Sequence, residues 1–138
     1  MACLFCRIVA GEEPAQTVLE REEVVGFLDT RPVFKGHVLL VPRRHVDTLT
    51  ELPDDLVLPL FGAAREVAAA VRTALGAQGS FVAMNNVVSQ SVPHLHVHVV
   101  PRTKGDGLRG FFWPRTRYAG PEAADYAARL RAVLDPDS

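Results

Sequence analysis

The stretch His94-Leu95-His96-Val97-His98-Val99-Val100 decides how this chain is read. Strict alternation of imidazole and aliphatic side chains is the period of a β-strand, whose successive residues face opposite sides of a sheet. Leu95, Val97 and Val99 would anchor such a strand in a core, leaving the three histidines together on the other face. A strand with a merely polar solvent face competes with this reading, but three histidines in register weigh against it. One metal ion held by all three is excluded by reach: on a straight strand His94 and His98 start ~13 Å apart, whereas a His–metal bond is about 2 Å long. A metal enzyme built on the pair His94 and His96 stays open as an alternative.

The remaining two of the five histidines, His37 and His45, flank a second apolar run, Val38-Leu39-Leu40-Val41, which Pro42 closes. Such a β-branched run, ended by a residue without a ladder donor, predicts a buried strand over 37–41. Residues 17–23 and 24–29 read as short strands joined by the charged Arg21-Glu22-Glu23, and residues 80–85 as a further strand. Leu56, Leu60, Ala64, Val67, Ala68, Val71 and Leu75 recur every three or four residues and stop at Gly76, which predicts the main helix. A start near Asp55 would place Pro59 among donors that lack partners in any case. A last helix over 121–134 would turn Tyr126, Leu130, Val133 and Leu134 inward. Strands joined by short links with segregated helices favour α+β: a mainly antiparallel sheet of about five strands, a main helix and a C-terminal helix.

With 138 residues, 48% of them hydrophobic, the chain has the size of one globular domain. A formal charge of −1 gives no overall draw toward nucleic acid or anionic lipid, so no specific nucleic-acid binding is expected. No apolar run approaches the ~20 residues of a membrane span, and the first residues lack the pattern of a leader, so a cytoplasmic protein is expected. The two cysteines stand as Cys3-x-x-Cys6, a loop too small to staple a fold but suited to a metal or redox pair. The redox option is weaker because no helix start is evident after Cys3.

The histidine run matches, position for position, the His-φ-His-φ-His-φ-φ signature of the histidine triad family of nucleotide hydrolases and transferases. Cys3-Leu4-Phe5-Cys6-Arg7-Ile8, Gly11-Glu12-Glu13-Pro14, Phe27-Leu28-Asp29, Gly36 to Pro42 and His45 also resemble family landmarks, in family order. The resemblance implies a single triad domain over 1–138, in which 103–138 is a C-terminal extension divergent from the family. It implies that His96 attacks an α-phosphorus to form a nucleotidyl-histidine that water resolves, and that His98, Gln90 and Ser91 contact phosphate. A neutral imidazole suits that nucleophile, and neutral donors hold an anion without favouring ground state over transition state.

By the same resemblance Asp29 binds ribose, Phe5, Ile8, Phe27 and Leu28 wall the base pocket, and His37 supports the triad. Asn85 reaches ribose or phosphate from the loop 85–90, which departs from the family's Gly-rich version. Some members hold a structural zinc through a set that here would be Cys3, Cys6, His45 and His94, closed and therefore not catalytic. The implied substrate is a purine nucleotide conjugate, a dinucleoside polyphosphate or a nucleoside phosphoramidate, handled by a homodimer without an organic cofactor. A nucleotide-binding regulatory protein with little turnover is the competing class. In the tail, Arg102, Lys104, Arg109, Arg115 and Arg117 with Phe111-Phe112-Trp113 suit either a polyphosphate or a packing surface.

Overall fold

The computed structural model describes residues 3–108 and 114–137. Five strands form one antiparallel sheet in the order β1-β2-β3-β5-β4: β1 Thr17–Glu20, β2 Val24–Leu28, β3 Val38–Pro42, β4 Gly79–Ala83 and β5 Val97–Arg102. Helix α1, Leu4–Val9, precedes the sheet and α2, Asp54–Leu75, lies between β3 and β4. The chain divides into two compact units between Asp106 and Gly107, the second containing α3, Glu122–Leu134. Among the described residues no helix is long and apolar enough to cross a membrane.

Alternation along β3 sorts the core into two layers. Val38 and Leu40 join Leu60, Ala63, Ala64, Val67 and Val71 of α2, while Leu39 and Val41 join Phe5, Val25 and Phe27 on the α1 side. Leu95, Val97 and Val99 all enter the α2 layer, so the aliphatic half of the triad alternation behaves as its period requires. Gly26 is the close approach in the sheet, since a Cβ there would lie 2.8 Å from Leu40 Cδ2. Gly76 ends α2 in the left-handed region, at φ 71°.

Several expected boundaries move. The triad strand starts at Val97, not His94, because residues 91–94 bend and Leu95 and His96 carry no strand pairing. The first strand stops at Glu20 and the fourth at Ala83. Helix α2 begins at Asp54, so Pro59 falls beyond the four free donors and the helix runs through it at the cost of one backbone bond. Leu75 is exposed, and Ala63 is buried in its stead. Residues Tyr126, Leu130, Val133 and Leu134 are exposed rather than inward: α3 is the only regular element described in its unit, so no other element of that unit covers its apolar face. The expected basic aromatic segment is described only in part, as Arg109, Phe111, Phe112 and Trp113 lie outside the described residues.

Candidate active site

On the α1 side of the sheet a cavity of about 200 Å³ is lined by Phe5, Ile8, Phe27, Leu28, Asp29, Ser91, His96 and His98, with Leu4, Pro14, Ala15, Thr30, Leu39 and Val92. Leu39 of β3 pairs with His98 of β5, which sets His98 on this face. Most residues singled out in the sequence thus converge. A larger apolar groove of about 790 Å³ runs along α2 on the other side and contains none of them except Leu28. Its lining has no histidine or cysteine and only Arg21, Lys35 and Glu66 as charged groups, so the smaller cavity is the candidate site.

Backbone partners fix the tautomers of neutral His37 and His96, and His37 in turn fixes that of His98, because an N–H group only donates and a carbonyl only accepts. The Val33 amide donates to His37 Nδ1 at 3.1 Å, so neutral His37 carries its proton on Nε2. That proton is donated to His98 Nδ1 at 2.9 Å, which leaves His98 with an Nε2–H. His96 Nδ1–H donates to the carbonyl of His94 at 2.8 Å, leaving Nε2 with a free lone pair. Burial pushes the His98 pKa down to about 4, with His96 and His37 adding to the effect and Asp29 opposing it. His37 is lowered by burial too, again against Asp29, so both rings of the relay are neutral at neutral pH. His96 and His98, with ring centroids 5.0 Å apart, therefore present a lone pair and an N–H to one cavity.

Phe5 makes edge contacts with His96 at a centroid distance of 5.0 Å and with Phe27 at 5.4 Å, forming an apolar wall beside the His96 ring. Asp29 lines the cavity, but its Oδ1 accepts the Arg31 amide at 2.9 Å, so the carboxylate also closes a turn. Ser91 lies at the rim. Gln90 is not brought into the cavity: its Oε1 accepts the Val87 amide and its Nε2 donates to the Asp47 carbonyl, bracing the loop. Asn85 is exposed and outside the lining as well. That loop holds Val87 and Ser89 at φ 69° and 61°, a conformation a β-branched residue rarely adopts.

His94 turns away from the cavity. Its Nε2–H donates to the Pro42 carbonyl at 2.8 Å, and its Nδ1 lies 3.5 Å from both Cys3 Sγ and Cys6 Sγ. His45 Nδ1 is 3.2 Å from Cys6 Sγ, and its Nε2 is 2.6 Å from Asp47 Oδ1. One donor atom from each of Cys3, Cys6, His45 and His94 falls within 4.8 Å of every other. Tetrahedral zinc with ordinary bond lengths separates sulfur and nitrogen ligands by about 3.5 Å, so the donor set fits. The second ring nitrogen of each histidine is held by a carbonyl or a carboxylate, as metal-ligating imidazoles require. Burial, with the adjoining Cys3 thiol next, raises the Cys6 pKa, an effect a cation would reverse.

The HIT domain family matches residues 10–105. This chain belongs to it. The HIT chain is 32% identical over 116 residues to adenosine 5′-monophosphoramidase hnt1 of Schizosaccharomyces pombe, covering 83% of this chain and 84% of that one. A member of the HIT family from Bacillus subtilis superposes with TM-score 0.83 at 34% identity, over 96% of each chain. A Zn-bound histidine triad family protein from Mycobacterium smegmatis superposes with TM-score 0.75 at 35% identity, over 100% of this chain and 99% of that one. The antiparallel five-stranded architecture is that of HIT proteins. Helix α1 is the element the sequence reading missed. It starts directly after Cys3 and has no capping side chain and no acid in its first turn to announce it.

Proposed function

We propose that this HIT protein is a nucleotide phosphohydrolase or nucleotidyltransferase acting on the α-phosphate of a purine nucleotide conjugate. The observation that carries the reading is the pair of opposed nitrogens in one cavity: His96 Nε2 with a lone pair, His98 Nε2 with a proton. His96 Nε2 forms a bond to phosphorus as the bond from phosphorus to the leaving amine or phosphate breaks. His98 donates to a non-bridging oxygen where charge shifts, and water then attacks the same phosphorus, returns His96 and releases the mononucleotide. Phe5, Ile8, Phe27 and Leu28 hold the base, Asp29 accepts from ribose through its less engaged oxygen, and Ser91 contacts phosphate. Gln90 and Asn85 join only if the loop 85–90 rearranges.

The Cys3, Cys6, His45 and His94 set holds a structural zinc, which ties α1 to the bend before β5 and leaves the chemistry to His96. The protein acts as a homodimer in the cytoplasm, with 103–138 as an extension of one triad domain. Rapid-quench intact-mass analysis tests the central step, using wild type and His96→Ala mixed with an adenylate phosphoramidate and, separately, a diadenosine polyphosphate. An adduct of one nucleotide on wild type alone supports the covalent path and identifies the leaving group accepted. Turnover of either substrate with no adduct, undiminished in His96→Ala, would overturn it.

A further inference from the structure

Helix α1 belongs to two sites at once. Cys3 at its N-cap and Cys6 one turn later place their sulfurs beside His94, and Cys6 also beside His45. Leu4, Phe5 and Ile8, interleaved with them, form part of the cavity wall facing His96 and His98. Phe5 sits between the two cysteines in sequence and touches both rings in space, at centroid distances of 6.0 Å to His94 and 5.0 Å to His96. His94 makes a second link: its side chain is in the cluster while its carbonyl fixes the His96 proton.

A helix of six residues is too short to stand without external support, and α1 has no side-chain N-cap. Its order depends on the contacts at its two flanks. One is the packing of Phe5 in the small layer with Val25, Phe27, Leu39 and Val41, and the other is the cysteine–histidine cluster. A ligand in the cavity braces the first flank and a metal the second. Each then binds to a helix the other has already ordered, which makes the two events cooperative.

We propose that the Cys3–Cys6–His45–His94 cluster controls nucleotide affinity through α1, so that zinc and nucleotide bind with positive coupling. This rests on reading the cavity as a nucleotide site. Linkage makes the effect reciprocal: whatever factor zinc adds to nucleotide affinity, nucleotide adds to zinc affinity. The coupling concerns binding and ordering, and is separate from any effect on turnover.

The test uses the full chain, AMP and zinc. AMP affinity is measured by calorimetry on zinc-loaded and chelator-treated protein, and zinc affinity by competition with a chromophoric chelator, with and without saturating AMP. A gain of about fivefold or more, equal in the two directions, is expected. Equal AMP affinity in both forms overturns the coupling and leaves the nucleotide site standing. No AMP binding to either form overturns the nucleotide site and the coupling with it, and failure to take up zinc overturns the coupling alone. His45→Ala removes a ligand that lies outside α1 and the cavity, and covers the case in which metal-free protein unfolds. At zinc levels that saturate wild type, its AMP affinity should fall to the metal-free value. Amide exchange over residues 3–9 gives the structural readout: protection should rise with zinc and again with AMP, and unchanged protection despite altered affinity would refute the route through α1.

Discussion

Acid should destabilise this fold through His98, and the amount can be worked out. The folded-state pKa is depressed to about 4 by burial beside His96 and His37, against about 6.5 for an exposed imidazole. The unfolded chain therefore binds more protons between these two values. Stability is at its full value above about pH 6.5 and falls as pH drops toward 4, then levels off. At about pH 5 the loss from this one ring is about 2 kcal/mol, or nearer 1 kcal/mol once its partial exposure is allowed for. His37 and His94 are lowered by burial as well and add losses of the same sign. Urea unfolding at about pH 7.5 and pH 5, on wild type and His98→Gln, isolates the His98 share as the difference between the two losses. Loss of any metal held by the cysteine–histidine cluster would enter both proteins and cancel. A wild-type loss no larger than that of His98→Gln would refute the burial argument.

Gly26→Ala should destabilise by about 1–3 kcal/mol in urea unfolding, since the new Cβ would lie 2.8 Å from Leu40 Cδ2 and 3.3 Å from Leu19 Cβ inside the sheet. Val87→Gly should stabilise by about 0.5 kcal/mol, the relief of a left-handed valine at φ 69° outweighing the entropy of glycine; a lowered thermal midpoint would contradict this. His37→Phe keeps an aromatic ring but removes the donor to His98 Nδ1, and single-turnover rates should fall about tenfold, the equivalent of one hydrogen bond. Nitrogen-15 spectra of His98 should then show a mixture of tautomers where wild type shows one.

Continuous apolar runs marked β2 and β3 nearly to the residue, since both strands are buried on both faces, and the i, i+3, i+4 pattern found α2, whose buried face repeats over enough positions to be read. The same logic failed for α3, whose apolar stripe of Tyr126, Leu130, Val133 and Leu134 is genuine but exposed: periodicity says that a face is apolar, not that anything covers it. Helix α1 has six residues, too few for a period, and the contacts of Phe5 and of the Cys3 and Cys6 sulfurs are with residues distant in sequence. That Phe5, Phe27, Asp29, His96 and His98 line one cavity was legible because each falls in a motif that resembles the family's. The place of Gln90 was not, because it depends on a hydrogen bond to Asp47, forty-three residues away in sequence.

The departure of the triad from a straight strand explains how one stretch serves two clusters. Had residues 94–98 continued β5 upstream, all three imidazoles would share one face, and His94 would stand too far from Cys3 and Cys6 to meet them. Instead the chain bends through 91–94, and the Leu95 amide donates to the Val46 carbonyl at 2.6 Å, fastening the bend to the segment that carries His45. Leu95 itself is fully buried in the α2 layer and fixes the rotation of the chain on either side of it. Given that rotation, the His94 ring is held toward the sulfurs by Pro42 and its carbonyl points at His96 Nδ1. The aliphatic residues of the alternation thus do more than anchor a strand. They set the stretch from His94 to His96, and that stretch is where the cysteine–histidine cluster and the cavity meet.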